Sequence, residues 1–282
     1  MIAIRLGLIG DNIGPSRAPL LHGLAGRMAG LEVRYDLLIP KKQGLDFDRL
    51  FDRCAAQGYR GINVTYPYKE RAAARVRIDD PTVRAISAVN TILFDGETPT
   101  GFNTDYSGFI AGYRAKRGER SPGVVCQIGA GGVGKAVAFA LLALGVEAIR
   151  IVERDLARAE ALAKALAIAA PSVMVEVADD PGVAAAGAEG IVNCSPVGMA
   201  AHPGTPIPAS ALTGASWAFD AVYTPLKTQF LQDAAAAGLA AISGFALFFH
   251  QGVKAFQIFT GRTPDEASLE AALREAWSRA VV

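Results

Sequence analysis

Along the first hundred residues, short apolar runs alternate with amphipathic stretches. "RLGLIG" predicts a strand over Ile4 to Ile9 that ends at a glycine turn, and "APLLHGLAGRMAG" predicts a helix. "RYDLLI" reads as a strand, "GLDFDRLFDRCAAQG" as a helix and "GINVTY" as a further strand. Strand and helix in regular turn predict an α/β layer with a mainly parallel sheet. A charged, turn-rich segment from Tyr113 to Val124, "YRAKRGERSPGV", reads as a helix end plus linker and marks a domain boundary nearby.

After that boundary the pattern restarts. "VVCQIGAGGVGKAVAFALLALG" is a strand, a glycine turn and a helix, and "AIRIVERDLARAEALAKALA" adds a second strand and helix. Together they form one βαβ unit with its continuation. "EGIVNCSP" and "WAFDAVY" read as later strands of the same sheet, and Ala246 to Val282 is mostly helical in pattern, placed to pack back on the first domain. The expected organisation is an α/β domain at 1–110 joined by 245–282, and a Rossmann domain at 111–244.

Composition narrows the function classes. The chain has 282 residues, 51% hydrophobic and 20% charged, which is ample for a globular core. With 28 Lys+Arg against 27 Asp+Glu the net charge is +1, so nucleic acid and anionic membrane are not expected partners. Cys54, Cys126 and Cys194 are scattered, with no CxxC pair, which fits a reducing cytoplasm. The most apolar late segment, "SGFALFFHQGVKAF", is broken by His250, Gln251 and Lys254 and is too short to span a bilayer. His22 reads as a packed or capping residue, His202 as a loop residue and His250 as structural. Three scattered histidines make no metal site, and Cys194 reads as a small wall residue.

The glycine turn "GAGGVG" matches G-x-G-x-x-G through Gly129, Gly131 and Gly134, with Ala130, Gly132 and Val133 between them. The motif allows a tight turn, close approach of backbone to a pyrophosphate, and a helix N-terminus aimed at its charge. At the end of the second strand stand Glu153 and Arg154. An acid there accepts from the adenosine ribose hydroxyls and disfavours a 2′-phosphate, whereas an arginine welcomes one. Because Glu153 sits at the strand end itself, NAD is favoured, with NADP as the alternative.

Hydride transfer to or from a secondary alcohol also moves the hydroxyl proton. Lys69 in "GINVTYPYKE" and Asp105 in "GFNTDYSGF" are a lysine and a carboxylate suited to that task, although taken alone two such charges are ordinarily unrelated. Around them in sequence recur small neutral hydrogen-bonding residues: Ser16, Asn63, Thr65, Asn90 and Gln251. Such a set suits a substrate with several hydroxyls.

Eight ordered blocks carry a family resemblance: "GPSRAPLLH", "GINVTYPYKE", "SAVNT", "GFNTDYSGF", "GAGGVGKA", "NCSPVGM", "DAVYTPLKT" and "GFALFFHQGVKAF". Over nearly its whole length the chain resembles the shikimate/quinate dehydrogenase family. The resemblance implies an N-terminal domain that binds a polyol carboxylate, a Rossmann domain for the nicotinamide cofactor, and last helices returning to the first domain. It implies Lys69 and Asp105 as the catalytic pair at the C3 hydroxyl, with Lys69 the proton-transfer group. Ser16, Asn63, Thr65, Asn90 and Gln251 match its substrate contacts, and Tyr223 a tyrosine near ring and carboxylate. Ser195, Val197 and Gly244 fall on its cofactor side, together with the glycine turn, Glu153 and Arg154. A cytoplasmic monomer or homodimer is expected. The chain departs from the family pattern at Ser16-Arg17-Ala18, where a second hydroxyl is missing, and at Glu153, which resembles the NAD-preferring quinate/shikimate branch. Two other readings stay open: a polyol-acid-sensing regulator without turnover, and a dehydrogenase for a different carbonyl.

Overall fold

The structure, a computed structural model, describes residues 2–279; Met1 and residues 280–282, the last of which belong to the expected first domain, lie outside the described residues. The chain divides into two units, Met1–Thr104 with Gln251–Val282, and Asp105–His250.

The first unit runs β1 (Ile2–Ile9), α1 (Ala18–Met28), β2 (Leu31–Leu38), α2 (Phe47–Ala56), β3 (Gly61–Val64), α3 (Lys69–Ala73), α4 (Pro81–Ile86), β4 (Thr91–Leu93) and β5 (Thr100–Phe102). Its sheet has the order β2-β1-β3-β4-β5. β1 lies parallel to both β2 and β3, while β4 and β5 pair antiparallel. β4 alone is reversed, so β1, β2, β3 and β5 share one direction and the sheet is mainly parallel, as expected. β4 and β5 are three residues each, too short to write an alternation into the sequence.

Each face of this sheet has its own cover. α2 buries Phe47, Leu50, Phe51 and Cys54 at i, i+3, i+4 and i+7 against Ile9, Leu38, Ile62 and Val64. The helix starts where Asp46 accepts from the Arg49 N–H at 2.8 Å. On the other face Leu6 and Leu93 meet Ala255 and Phe259 from the C-terminal segment.

The second unit opens with α5 (Thr104–Arg117), whose first residue belongs to the first unit, and continues β6 (Val124–Ile128), α6 (Gly132–Ala143), β7 (Ala148–Val152), α7 (Leu156–Ala169) and β8 (Met174–Ala178). Then follow α8 (Pro181–Ala185), β9 (Gly190–Asn193), β10 (Trp217–Asp220), α9 (Gln229–Ala236), β11 (Ala240–Ile242) and α10 (Gly244–Thr260). The chain passes back to the first unit within α10 and ends with α11 (Glu266–Arg279). The six strands are parallel in the order β11-β10-β9-β6-β7-β8. Counted within the unit this is the doubly wound dinucleotide-binding order, read from its far edge. The fold class is α/β with a Rossmann domain. Among the described residues no helix is long and apolar enough to cross a membrane.

Candidate active site

In the first unit the strand order reverses between β1 and β3, and ligands of open α/β sheets bind beyond the carboxyl ends of such strands. The loops leaving these two strands are tied together there. Thr65 N donates to Ile9 O at 2.9 Å, Asp11 N to Tyr66 O at 3.2 Å, and the Tyr68 hydroxyl to Asp11 Oδ1 at 2.7 Å. Lys69 follows as the first residue of α3 and is 8% exposed. Its backbone is held by Val89 N, which donates to Lys69 O at 3.0 Å. Ser16 lies beyond β1, where its Oγ accepts from Ala18 N at 3.2 Å and closes the turn into α1. Ala18, the position without a hydroxyl, starts that helix. Arg17, its neighbour, lies 5.6 Å over the Trp277 ring.

Behind these residues is a buried polar network. Asn90 Oδ1 accepts from Thr104 N at 2.7 Å, and Asn90 Nδ2 faces Gln251 Oε1 at 3.4 Å. Thr104 Oγ1 stands 3.3 Å from the same Gln251 oxygen and 3.2 Å from Thr91 Oγ1. Asn63 joins through Nδ2, which donates to Thr91 Oγ1 at 3.0 Å and Asn90 O at 3.2 Å. Of the first-unit residues expected to form the site, Asn63, Asn90 and Gln251 are thus connected, while Ser16, Thr65 and Lys69 sit on the β1 and β3 loops.

In the second unit the reversal falls between β6 and β9, and the glycine turn follows β6. α2, α4, α7, α8 and α9 have their first turns closed by an Asp or Thr side chain, whereas α6 begins at Gly131 with no side-chain cap. Its first N–H groups are the kind that receive a phosphate. Gly129 has φ +101°, and a Cβ on it would meet the Cys194 backbone at 2.7 Å. The Glu153 carboxylate reaches back to this turn: Oε2 accepts from Ala130 N at 2.9 Å and Oε1 from Asp155 N at 3.3 Å. Arg154 is exposed. These residues fit a dinucleotide: a tight glycine turn, an uncapped helix start, and an acid at the end of the second strand.

Ser195 and Val197 follow β9, where Asn193 Oδ1 accepts from both Ser195 N and Ser195 Oγ. Asn193 Nδ2 donates to Val197 O at 3.0 Å and to Asp220 Oδ1 at 2.9 Å, which links this loop to the one after β10. Tyr223 on that second loop stacks on Phe248 at 5.2 Å, and Gly244 is buried at the start of α10. Burial, together with the Asp105 charge, raises the Tyr223 pKa, so its hydroxyl keeps its proton. Burial likewise pushes the Cys194 thiol well up, helped by Asp220 and Asp105, which leaves it a poor nucleophile.

Asn193 and Asp220 were not among the expected site residues, nor were His22, Tyr35, Thr91, Thr104 and Gln127. A signal exists for the first two: each is a polar residue ending an otherwise apolar strand, "GIVN" and "WAFD".

Asp220 is fully buried, and burial raises its pKa to about 6 against the pull of hydrogen bonds from Thr228, Val222 N and Asn193. A carboxyl whose folded pKa lies above its unfolded value binds more protons when folded, so stability falls as pH rises from about 4 to 6. Asp220→Asn is expected to match the parent near pH 4 and to exceed it at pH 8 by about 1–3 kcal/mol. Thermal melts at the two pH values measure this; an equal or lower melting temperature at pH 8 would refute the strain assigned to the buried charge.

Comparison with known proteins bears on the whole chain. Residues 8–92 match the family described as "Shikimate dehydrogenase substrate binding domain", and residues 244–274 match "Shikimate 5'-dehydrogenase C-terminal domain". The chain is 41% identical to the quinate/shikimate dehydrogenase (NAD(+)) of Corynebacterium efficiens, over 95% of this chain and 97% of that one. The chain belongs to the shikimate/quinate dehydrogenase family. Members of this family are NAD(P)-dependent oxidoreductases, which accounts for the paired α/β and Rossmann units. A solved quinate dehydrogenase from Corynebacterium glutamicum in complex with NAD superposes with a TM-score of 0.90 at 36% identity, covering 98% of this chain and 100% of that one. A shikimate 5-dehydrogenase from Thermus thermophilus, in complex with NADP(H) and shikimate, gives 0.83 at 34% identity over 97% and 99%.

Proposed function

We propose that the protein transfers a hydride reversibly between a nicotinamide cofactor, NAD in preference to NADP, and the C3 position of shikimate, quinate or a close polyol carboxylate. The observation that carries this reading is the buried Lys69 at the first unit's switch point, among neutral hydrogen-bonding residues, in a chain with a glycine turn at its second switch point. The nicotinamide, when bound by the second unit, supplies or takes the hydride. Lys69 moves the proton of the C3 oxygen, and Asp105 orients the lysine. Ser16, Thr65, Asn90 and Gln251 fix the remaining hydroxyls, and Tyr223 donates its retained proton near the ring and carboxylate. Gly129 through Gly134 hold the pyrophosphate with the uncapped start of α6, with Ser195, Val197 and Gly244 on the nicotinamide side. The domain roles follow: substrate on the first unit, cofactor on the second.

The preference for NAD rests on Glu153, whose carboxylate is held at the Ala130 amide, where a 2′-phosphate would meet a negative charge. A spectrophotometric panel of shikimate, quinate and 3-dehydroshikimate against both cofactors tests the whole reading. Turnover with NAD and at least one of these acids is expected, and absence of turnover with every pair sinks it. Glu153→Ala is expected to shift the ratio of kcat/KM values toward NADP by about tenfold. An unchanged ratio would remove Glu153 from the cofactor argument.

A further inference from the structure

Asn63 has more partners than a substrate ligand can spare. A carboxamide offers two N–H donors and one oxygen with two acceptor positions. Both N–H groups are engaged, with Thr91 Oγ1 at 3.0 Å and Asn90 O at 3.2 Å. The oxygen accepts from the Tyr35 hydroxyl at 2.8 Å, and the His22 ring hydrogen-bonds the same side chain. All four positions are occupied within the first unit, and Asn63 is 8% exposed.

The two residues on the far side of Asn63 form a unit of their own. The His22 ring is 1% exposed and stacks on Tyr35 with centroids 4.8 Å apart and planes 17° from parallel. Phe256 and Phe259 close around it at 6.2 and 5.8 Å. His22 Nδ1 has no partner among the described residues, so its one hydrogen bond goes to Asn63. Burial holds the imidazole neutral, with its pKa pushed down to about 3. A neutral ring with a bare Nδ1 carries its proton on Nε2, which makes it a donor to the Asn63 oxygen.

The direction of the bonds leading from Tyr35 to Asn90 follows. Tyr35 O–H and His22 N–H point at the Asn63 oxygen, so the amide nitrogen must face Thr91. Thr91 Oγ1 receives that N–H and donates its own proton to Asn90 Oδ1 at 3.1 Å. Asn90 Oδ1 also accepts from Thr104 N at 2.7 Å and from Thr104 Oγ1 at 3.1 Å, so donors surround this oxygen. The Asn90 nitrogen is thereby turned the other way, with one N–H toward Gln251 Oε1 at 3.4 Å and a second N–H left to donate.

We infer that His22 and Tyr35 are positioning residues: through Asn63 and Thr91, and together with Thr104, they hold the Asn90 amide so that Asn90 meets the substrate as a donor, and Asn63 itself does not touch substrate. This rests on the reading of Asn90 as a substrate contact. It assigns to the polyol an oxygen that accepts at Asn90, and it gives the buried histidine a task in substrate selection.

The test compares variants that differ only in the bond. Tyr35→Phe keeps the ring and its stack on His22 but removes the hydroxyl. It is expected to raise KM for the polyol acid by about tenfold, the worth of one or two weakened hydrogen bonds. KM for NAD and the melting temperature should stay near the parent values. His22→Leu should raise the same KM, and His22→Gln, which restores an N–H donor, should bring it back. Equilibrium binding of shikimate and quinate by calorimetry is measured on the same variants, independent of turnover. The inference is overturned if Tyr35→Phe and His22→Leu both leave KM and Kd for the acid unchanged. It is equally overturned if His22→Gln behaves like His22→Leu, or if KM for the acid and for NAD rise together while the melting temperature falls, since either would leave only a packing role. A parent protein that neither binds nor turns over any of these acids would instead refute the proposed function.

Discussion

Lys69→Ala is expected to lower kcat for the polyol acid by about a thousandfold, within the usual worth of a positioned proton-transfer group. The affinity for NAD should be nearly unchanged, because the glycine turn and Glu153 belong to the other unit. The expectation is specific to the lysine's side chain. Its backbone is fixed on either side by other groups. Tyr68 stacks on Phe47 at 5.0 Å, Ala72 N donates to Tyr68 O at 2.8 Å, and Val89 N donates to Lys69 O. Lys69→Met keeps the volume of the stem and loses only the ammonium, so it separates chemistry from packing. Both variants should show the same large fall in kcat, with NAD titrated by fluorescence to confirm that the cofactor site is intact. On the proposed roles, Asp105→Asn should lower kcat less, since it would remove the orienting charge and not the proton carrier. A Lys69→Met enzyme within threefold of the parent would remove the lysine from the chemistry altogether.

How much of this could be read from the chain follows from the range of each interaction. β6, the glycine turn, α6 and β7 are consecutive, so their apolar periods and their glycines announce them together. α2 is legible for the same reason: its cap and its i, i+3, i+4, i+7 stripe lie within eleven residues. β4 and β5 could not be read, because three residues carry no period and their place in the sheet is set by pairing with β3.

The site divides along the same line. Lys69, Asn90 and Gln251 sit in recognisable blocks. Their supporting bonds join positions far apart in the chain: Tyr35 to Asn63, Asn90 to Gln251, Asn193 to Asp220. His22 looks in sequence like any packed histidine on an apolar helix face, and that is where it lies. Its direction toward Asn63 is a product of the β1–β2–β3 arrangement, which brings α1, β2 and β3 to one face. A polar network of this kind leaves no local pattern; its members are visible only as neutral polar residues in places where apolar ones would pack as well.

The glycine turn allows two roles of glycine to be separated by experiment. A Cβ on Gly134 would lie 2.2 Å from Gly129 O and 2.9 Å from Gly129 C, an overlap that only backbone movement can relieve. That backbone is held on several sides. The buried Gln127 side chain donates to Gly129 O and to Gly134 O at 3.0 Å each, and Gly129 N donates to Val152 O at 2.8 Å. Gly134→Ala should therefore cost about 2–4 kcal/mol of stability, as overpacking against fixed atoms does. It should also weaken NAD binding by at least about thirtyfold, because the N–H groups at the start of α6 turn away with the displaced loop. Gly131 is different. It has φ −71° and ψ −170°, ordinary extended backbone, and a Cβ on it would meet nothing within 4 Å. Gly131→Ala should leave the melting temperature where it was and still weaken NAD binding, since the methyl would stand where the pyrophosphate approaches. Melting curves and NAD titrations on the two variants decide the matter. If Gly131→Ala binds NAD as the parent does, the turn holds its ligand at some other point, and the reading of its glycines as a phosphate cradle fails.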